Sequence, residues 1–182
     1  MSNSYNVFIL NEYIDSAFQV KMFIPNSPDF EYINQLVKFI HYKEEIDNDK
    51  IEYPNLLGKY SPIGITPSGN IIQEQLDLNM YKLHVASSLN DSSWVTNKGY
   101  KRTSDNYLIY AKHIYESNTI LFLGIISPNA HSSLFPNDCM KRKISSPLMK
   151  KCMHKVDIFQ KRSLNELVSE VEYTRYQIQP MC

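Results

Sequence analysis

Asn106-Tyr107-Leu108-Ile109-Tyr110-Ala111-Lys112 and Thr119-Ile120-Leu121-Phe122-Leu123-Gly124-Ile125-Ile126 are the stretches whose reading decides the fold. In the first, alternate side chains take opposite faces, so Tyr107, Ile109 and Ala111 face one way and Leu108, Tyr110 and Lys112 the other, the pattern of a half-buried strand. The second has no polar face, which suits a central strand covered on both sides. Glu116-Ser117-Asn118 between them is turn chemistry, so the pair is expected to form an antiparallel hairpin. Such a hairpin brings Lys101-Arg102-Thr103-Ser104-Asp105, before its first strand, to the same end of the sheet as Ser127-Pro128-Asn129-Ala130-His131, after its second. Arg102, Asp105 and His131 would then be neighbours in space.

Length and composition narrow the field. A chain of 182 residues, 43% of them apolar, can build one ordinary core and is too apolar for disorder except at its ends. No run approaches the ~18 to 20 apolar residues of a membrane span, and no basic region followed by an apolar core opens the chain. A soluble cytoplasmic protein without membrane contact is expected. The three cysteines, Cys139, Cys152 and Cys182, are odd in number and lack close zinc-ligand spacing, so neither a disulfide scaffold nor a metal site is expected. The net charge of zero hides an uneven distribution: residues 1–50 carry 4 Lys/Arg against 8 Asp/Glu, whereas residues 101–162 carry 11 against 4. A cationic field beside the hairpin draws polyanions; the alternative is an ordinary solvated basic helix.

Tyr5 to Leu10 and Ala17 to Ile24 read as further strands. Ser27 as N-cap and Pro28 at the first helical position predict a helix reaching about Ile46, with Phe30, Ile33, Leu36, Val37 and Ile40 as its apolar stripe. The prolines and glycines from Pro54 to Gly69 predict an irregular loop, which contains Leu57-Gly58-Lys59-Tyr60. In the strand expected over Met80 to Ala86, Tyr81, Leu83 and Val85 point inward while Lys82 and His84 share the other face. Ser87 to Gly99 is expected to be a flap pinned by Trp94. Ser146-Pro147 opens an amphipathic basic helix with Leu148, Met149, Cys152, Met153, Val156 and Phe159 on one arc, and Ser163 and Glu166 have capping-box spacing. The order predicts an α+β domain over residues 1–162, a small antiparallel sheet packed by helices against one face, with 163–182 as a C-terminal extension.

Arg102-Thr103-Ser104-Asp105-Asn106-Tyr107-Leu108-Ile109-Tyr110 and Leu123-Gly124-Ile125-Ile126-Ser127-Pro128-Asn129-Ala130-His131 resemble the core of the YafO family, the toxins of bacterial toxin–antitoxin pairs. Phe39-Ile40-His41-Tyr42-Lys43, Leu57-Gly58-Lys59-Tyr60 and Leu83-His84-Val85 follow the family's order and rough spacing, over about residues 30 to 160. The resemblance implies a RelE-like architecture and a ribosome-dependent mRNA endonuclease, neutralised by a cognate antitoxin. Lys59 and Tyr60 stand where the family pattern has an Arg-Asp pair. The alternative is a catalytically inactive relative that binds RNA or antitoxin.

Cleavage of RNA without a metal needs the 2′-hydroxyl deprotonated, the phosphate's growing charge stabilised and the 5′-oxygen protonated. His131 is the candidate proton-transfer group, Arg102 the phosphate clamp, and Tyr110 or His84 an orienting or second proton-transfer group, with Asp105 positioning Arg102 or His131. Asp105 read as an Asx-turn and Tyr110 read as packing are the plainer alternatives. No cofactor is called for. Lys59, Lys101, Lys141, Arg142, Lys143, Lys150, Lys151 and Lys155 are the candidates for holding the RNA backbone, contacts that set affinity rather than sequence preference. His113, beside the hairpin turn, is expected to be exposed.

Overall fold

The computed structural model describes residues 4–11, 25, 27–65, 69–86, 94, 98–135 and 145–181. Six strands form one sheet: β1 (Tyr5–Leu10), β2 (Leu57–Pro62), β3 (Met80–Val85), β4 (Tyr107–Lys112), β5 (Thr119–Ile126) and β6 (Tyr173–Ile178), in the order β2-β3-β4-β5-β1-β6. The expected hairpin lies at its middle. Tyr107 pairs with Ile126, Leu108 with Ile125 and Ile109 with Gly124, after which the register slips and Tyr110 faces Phe122. Leu123 is therefore an extra residue on β5. Gly124 has φ 135°, a backbone conformation that a side chain would strain, so the bulge falls where the apolar run carries its glycine.

The sheet is mixed, not antiparallel. β1 pairs in parallel with β5 and antiparallel with β6. Val7 and Phe8 point to opposite faces and are both fully shielded, so β1 is an interior strand that needs ladder partners on both edges. Residues 163–182, expected as an extension, supply a helix and the edge strand β6 to this same sheet, through the alternation of Tyr173-Thr174-Arg175-Tyr176-Gln177-Ile178. Leu57–Pro62, expected within a loop, is the opposite edge strand. An edge tolerates its proline because one side of the strand makes no ladder bonds. The strand expected over 17–24 lies outside the described residues.

Helices cover both faces rather than one. They are α1 (Glu31–His41), α2 (Lys43–Asp47), α3 (Gln73–Leu76), α4 (Ala130–Leu134), α5 (Pro147–Gln160) and α6 (Leu164–Ser169). On one face Ile33, Leu36 and Val37 of α1 pack with Val7, Leu83, Leu108 and Phe122. On the other, Met149, Cys152, Val156 and Phe159 of α5 pack with Phe8, Ile109 and Leu121. Covering both faces buries β5 throughout, as its apolar run predicts, and also buries β4 from Tyr107 to Ala111, where alternation suggested a half-buried strand. The long helix pauses at Tyr42 (φ −100°, ψ 26°) before α2 ends at Asp47. Ser146 caps α5 by accepting from the Met149 amide at 3.0 Å, and Ser163 with Glu166 forms the capping box that their spacing predicts. Among the described residues no helix is long and apolar enough to cross a membrane.

The turn before β2 is held by close packing. The Tyr53 hydroxyl donates to the Gly58 carbonyl at 2.6 Å, and its ring lies across Gly99, where a Cβ would stand 2.0 Å from ring atom Cγ. Gly99→Ala is expected to cost about 1–3 kcal/mol of stability through overpacking. Urea unfolding checks this; an unchanged midpoint would contradict the contact.

Candidate active site

The hairpin places the end of β3, the start of β4 and the short helix α4 together. His84 on β3 pairs across the ladder with Tyr107 on β4, and Lys82 pairs with Ile109, so all four side chains share the face covered by α5. The His84 ring lies edge-on to the Tyr107 ring, with centroids 4.7 Å apart. From the end of β5, α4 brings His131 to the hydroxyl of that tyrosine, its Nδ1 3.4 Å from the Tyr107 oxygen. That distance is long for a hydrogen bond and marks a contact that a bound group could tighten. Tyr107 is thus in contact with two imidazoles.

Each imidazole is positioned by the chain before β4. His84 Nδ1 lies 2.6 Å from the Ser104 carbonyl oxygen and 2.9 Å from the Ser104 amide nitrogen. These contacts require opposite tautomers. With Nδ1 protonated the ring donates to the carbonyl, and with Nδ1 bare it accepts from the amide. In the Nδ1–H tautomer Nε2 carries the available lone pair, and among the described residues it has no hydrogen-bond partner. Burial lowers the His84 pKa; the Ser104 bond opposes this, Lys82 and Lys59 reinforce it, and Asp105 opposes it. The Asp105 carboxylate accepts from the His131 amide at 2.8 Å and the Asp105 carbonyl from the Ala130 amide at 3.1 Å, so Asp105 ties the start of α4 to β4. His131 itself is exposed. Burial raises the Tyr107 pKa, and nearby Asp105 adds to the shift.

Lys82 completes the cluster. Its Nζ stands 4.9 Å from the centre of the Tyr107 ring and 4.4 Å from that of Phe135. Burial, with the charge of Lys59 on neighbouring β2, lowers its pKa to about 8. Among the described residues no three His, Cys, Asp or Glu side chains gather in a metal-holding group.

Two of the residues assigned catalytic roles from sequence sit elsewhere. Arg102 is buried at 9% exposure, and its Nη1 donates to the carbonyls of Pro54, Asn55 and Leu57 at 3.1, 3.2 and 3.3 Å. Its guanidinium fastens the turn before β2. Tyr110 is on the opposite face of β4, 1% exposed and stacked on Tyr81 with centroids 5.2 Å apart. Complete burial raises its pKa well above the phenol's ordinary value, so it is packing, not proton transfer. His113 is also buried rather than exposed, lying 2.9 Å from the Arg162 carbonyl oxygen through Nε2. Tyr107 and Lys82 are the residues that sequence reasoning passed over. Their signal was the alternation itself, which set Lys82 beside His84 and Tyr107 opposite Tyr110; strand register supplies the rest.

Of the lysines expected to hold RNA, Lys59, Lys101, Lys150 and Lys151 are exposed, the last two on the outer side of α5. Lys155 forms an ion pair with Glu172. Lys141, Arg142 and Lys143 lie outside the described residues. Trp94 is buried against Gly58, as core packing rather than an open stacking platform.

No curated protein and no solved structure matches the chain. A family model described as Toxin YafO, type II toxin-antitoxin system, matches residues 40–161. That span runs from the end of α1 to just past α5 and contains every member of the histidine–tyrosine–lysine cluster. A toxin of a type II toxin–antitoxin system implies an antitoxin partner. By the match over most of its length, this chain belongs to the YafO family of type II toxin–antitoxin toxins.

Proposed function

We propose that this protein is an mRNA endonuclease that cuts translated messages on the ribosome in the cytoplasm, with a toxin architecture of the RelE kind, and is silenced by its antitoxin. The observation that carries the reading is the pair of imidazoles, His84 and His131, both in contact with Tyr107, one at its ring and one at its hydroxyl. His84 Nε2 takes the proton of the 2′-hydroxyl, whose oxygen attacks the adjacent phosphorus. The P–O5′ bond breaks, and imidazolium His131 gives its proton to the departing oxygen, leaving a 2′,3′-cyclic phosphate and a free 5′-hydroxyl. The Ser104 carbonyl suits this task, because it accepts from Nδ1–H both before and after His84 gains its proton. Asp105 holds α4, and with it His131, in place. Exposed Lys150 and Lys151 on α5 give the message backbone a cationic rail.

A second reading, a relative that binds RNA or antitoxin without cutting, draws on the burial of Arg102 and Tyr110, which leaves two of the expected catalytic groups as structural residues. Induced expression in a bacterial host separates the two. The endonuclease reading expects growth arrest together with new 5′-hydroxyl ends within translated messages, reversed by co-expressed antitoxin. Arrest with intact messages would favour the binding-only reading.

A further inference from the structure

We propose that Lys82 is the cation that grips the scissile phosphate, the role that sequence suggested for Arg102. The inference takes its substrate from the endonuclease reading and adds the seat. Three lysines spend their charge on carboxylates: Lys43 on Asp47, Lys155 on Glu172 and Lys161 on Asp157. Among the described residues no carboxylate pairs with Lys82. Its ammonium is held by aromatic faces instead, with Tyr107 and Phe135 at 4.9 and 4.4 Å. Rings fix the position of a cation without neutralising it, so the charge remains available to an incoming anion. Asp105, the carboxylate that flanks the site, accepts from the His131 amide through one oxygen.

The placement matches the chemistry. Lys82 is two residues from His84 on one strand face and touches the same tyrosine that His84 and His131 contact. A phosphodiester spanning the two imidazoles would therefore set its non-bridging oxygens against the ammonium, where charge grows in the transition state. Exposed Lys59 on β2 reinforces the anionic preference. The titratable and charged groups that bear on Lys82 are Lys59 from β2, His84 from its own strand and Tyr107 from β4. Because burial and Lys59 bring the Lys82 pKa to about 8, its charge and the grip it provides are present below that pH and lost above it.

The test uses a deoxyribonucleotide dimer, whose phosphodiester keeps its charge throughout and lacks the attacking 2′-hydroxyl. Binding to the full chain is read from the ring proton resonances of His84 and His131. Lys82→Met, which keeps the aliphatic stem, is expected to weaken binding about tenfold, while Lys82→Arg stays within about threefold. Wild-type affinity is expected to fall as pH passes about 8, and that of Lys82→Arg to hold, since a guanidinium stays charged. Lys82→Met binding as tightly as wild type, or a wild-type affinity flat across that pH range, overturns the proposal. If Lys82→Met does not fold, the pH comparison of wild type and Lys82→Arg decides alone. A wild-type chain that cuts no RNA while its dimer binding keeps the Lys82 dependence would sink the endonuclease reading and leave the phosphate seat standing.

Discussion

Alanine in place of His84 or of His131 is expected to slow message cleavage by about 10²- to 10⁴-fold each. In the proposed reaction the two act on the same bond-breaking event, so the double variant should fall well short of the product of the single losses. The pH profile carries more information than the rate alone. A general base works only when unprotonated, so cleavage should decline as acid protonates His84. That decline should occur below the ordinary imidazole range, because burial and the neighbouring Lys82 and Lys59 lower the His84 pKa. Single-turnover cleavage on programmed ribosomes across a pH series measures both. A His84→Ala enzyme at full rate, or an acid limb that survives unchanged in that variant, would remove His84 from the chemistry and leave His131 needing another partner.

Arg102→Ala should cost stability rather than catalysis. One guanidinium nitrogen answers three backbone carbonyls of the turn before β2, and hydrogen bonds from a charged donor are worth about 1.5–3 kcal/mol. Leaving those acceptors without it is expected to lower unfolding free energy by about 3 kcal/mol, read as a drop in the urea midpoint. Deoxyribonucleotide dimer affinity, measured well below the unfolding transition, should be unchanged. Unaltered stability with abolished dimer binding would reverse the assignment and return Arg102 to the phosphate.

The same contrast shows which parts of this molecule could be read from sequence. Apolar periodicity is a local signal, and it located β4, β5, the helix caps at Ser146 and Ser163 and the common end of the hairpin where Asp105 meets His131. It could not say that a second helix layer covers β4, because the polar side of an alternating strand looks the same whether water or a helix faces it. The parallel pairing of β1 with β5, and the capture of β6, depend on partners more than a hundred residues apart in sequence, about which neither segment carries local information. For the site, side-chain type pointed to Arg102 and Tyr110 because guanidinium and phenol suit the chemistry. Depth removed them: one is consumed by main-chain acceptors and the other stands on the wrong face. Lys82 and Tyr107 were visible in the alternation but became site residues only once ladder pairing set His84 against Tyr107.

β1 is bordered on one side by β5 and on the other by β6. In the nascent chain β1 therefore emerges more than a hundred residues ahead of either neighbour, and synthesis must proceed through Ile178 before that strand is enclosed. A polypeptide cut short ahead of Tyr173 would keep the histidine mouth in its sequence yet carry an uncovered ladder edge beside Val7 and Phe8, inviting strand-to-strand aggregation. Closure of the sheet in this toxin thus waits on β6, not on the segment that carries the histidines.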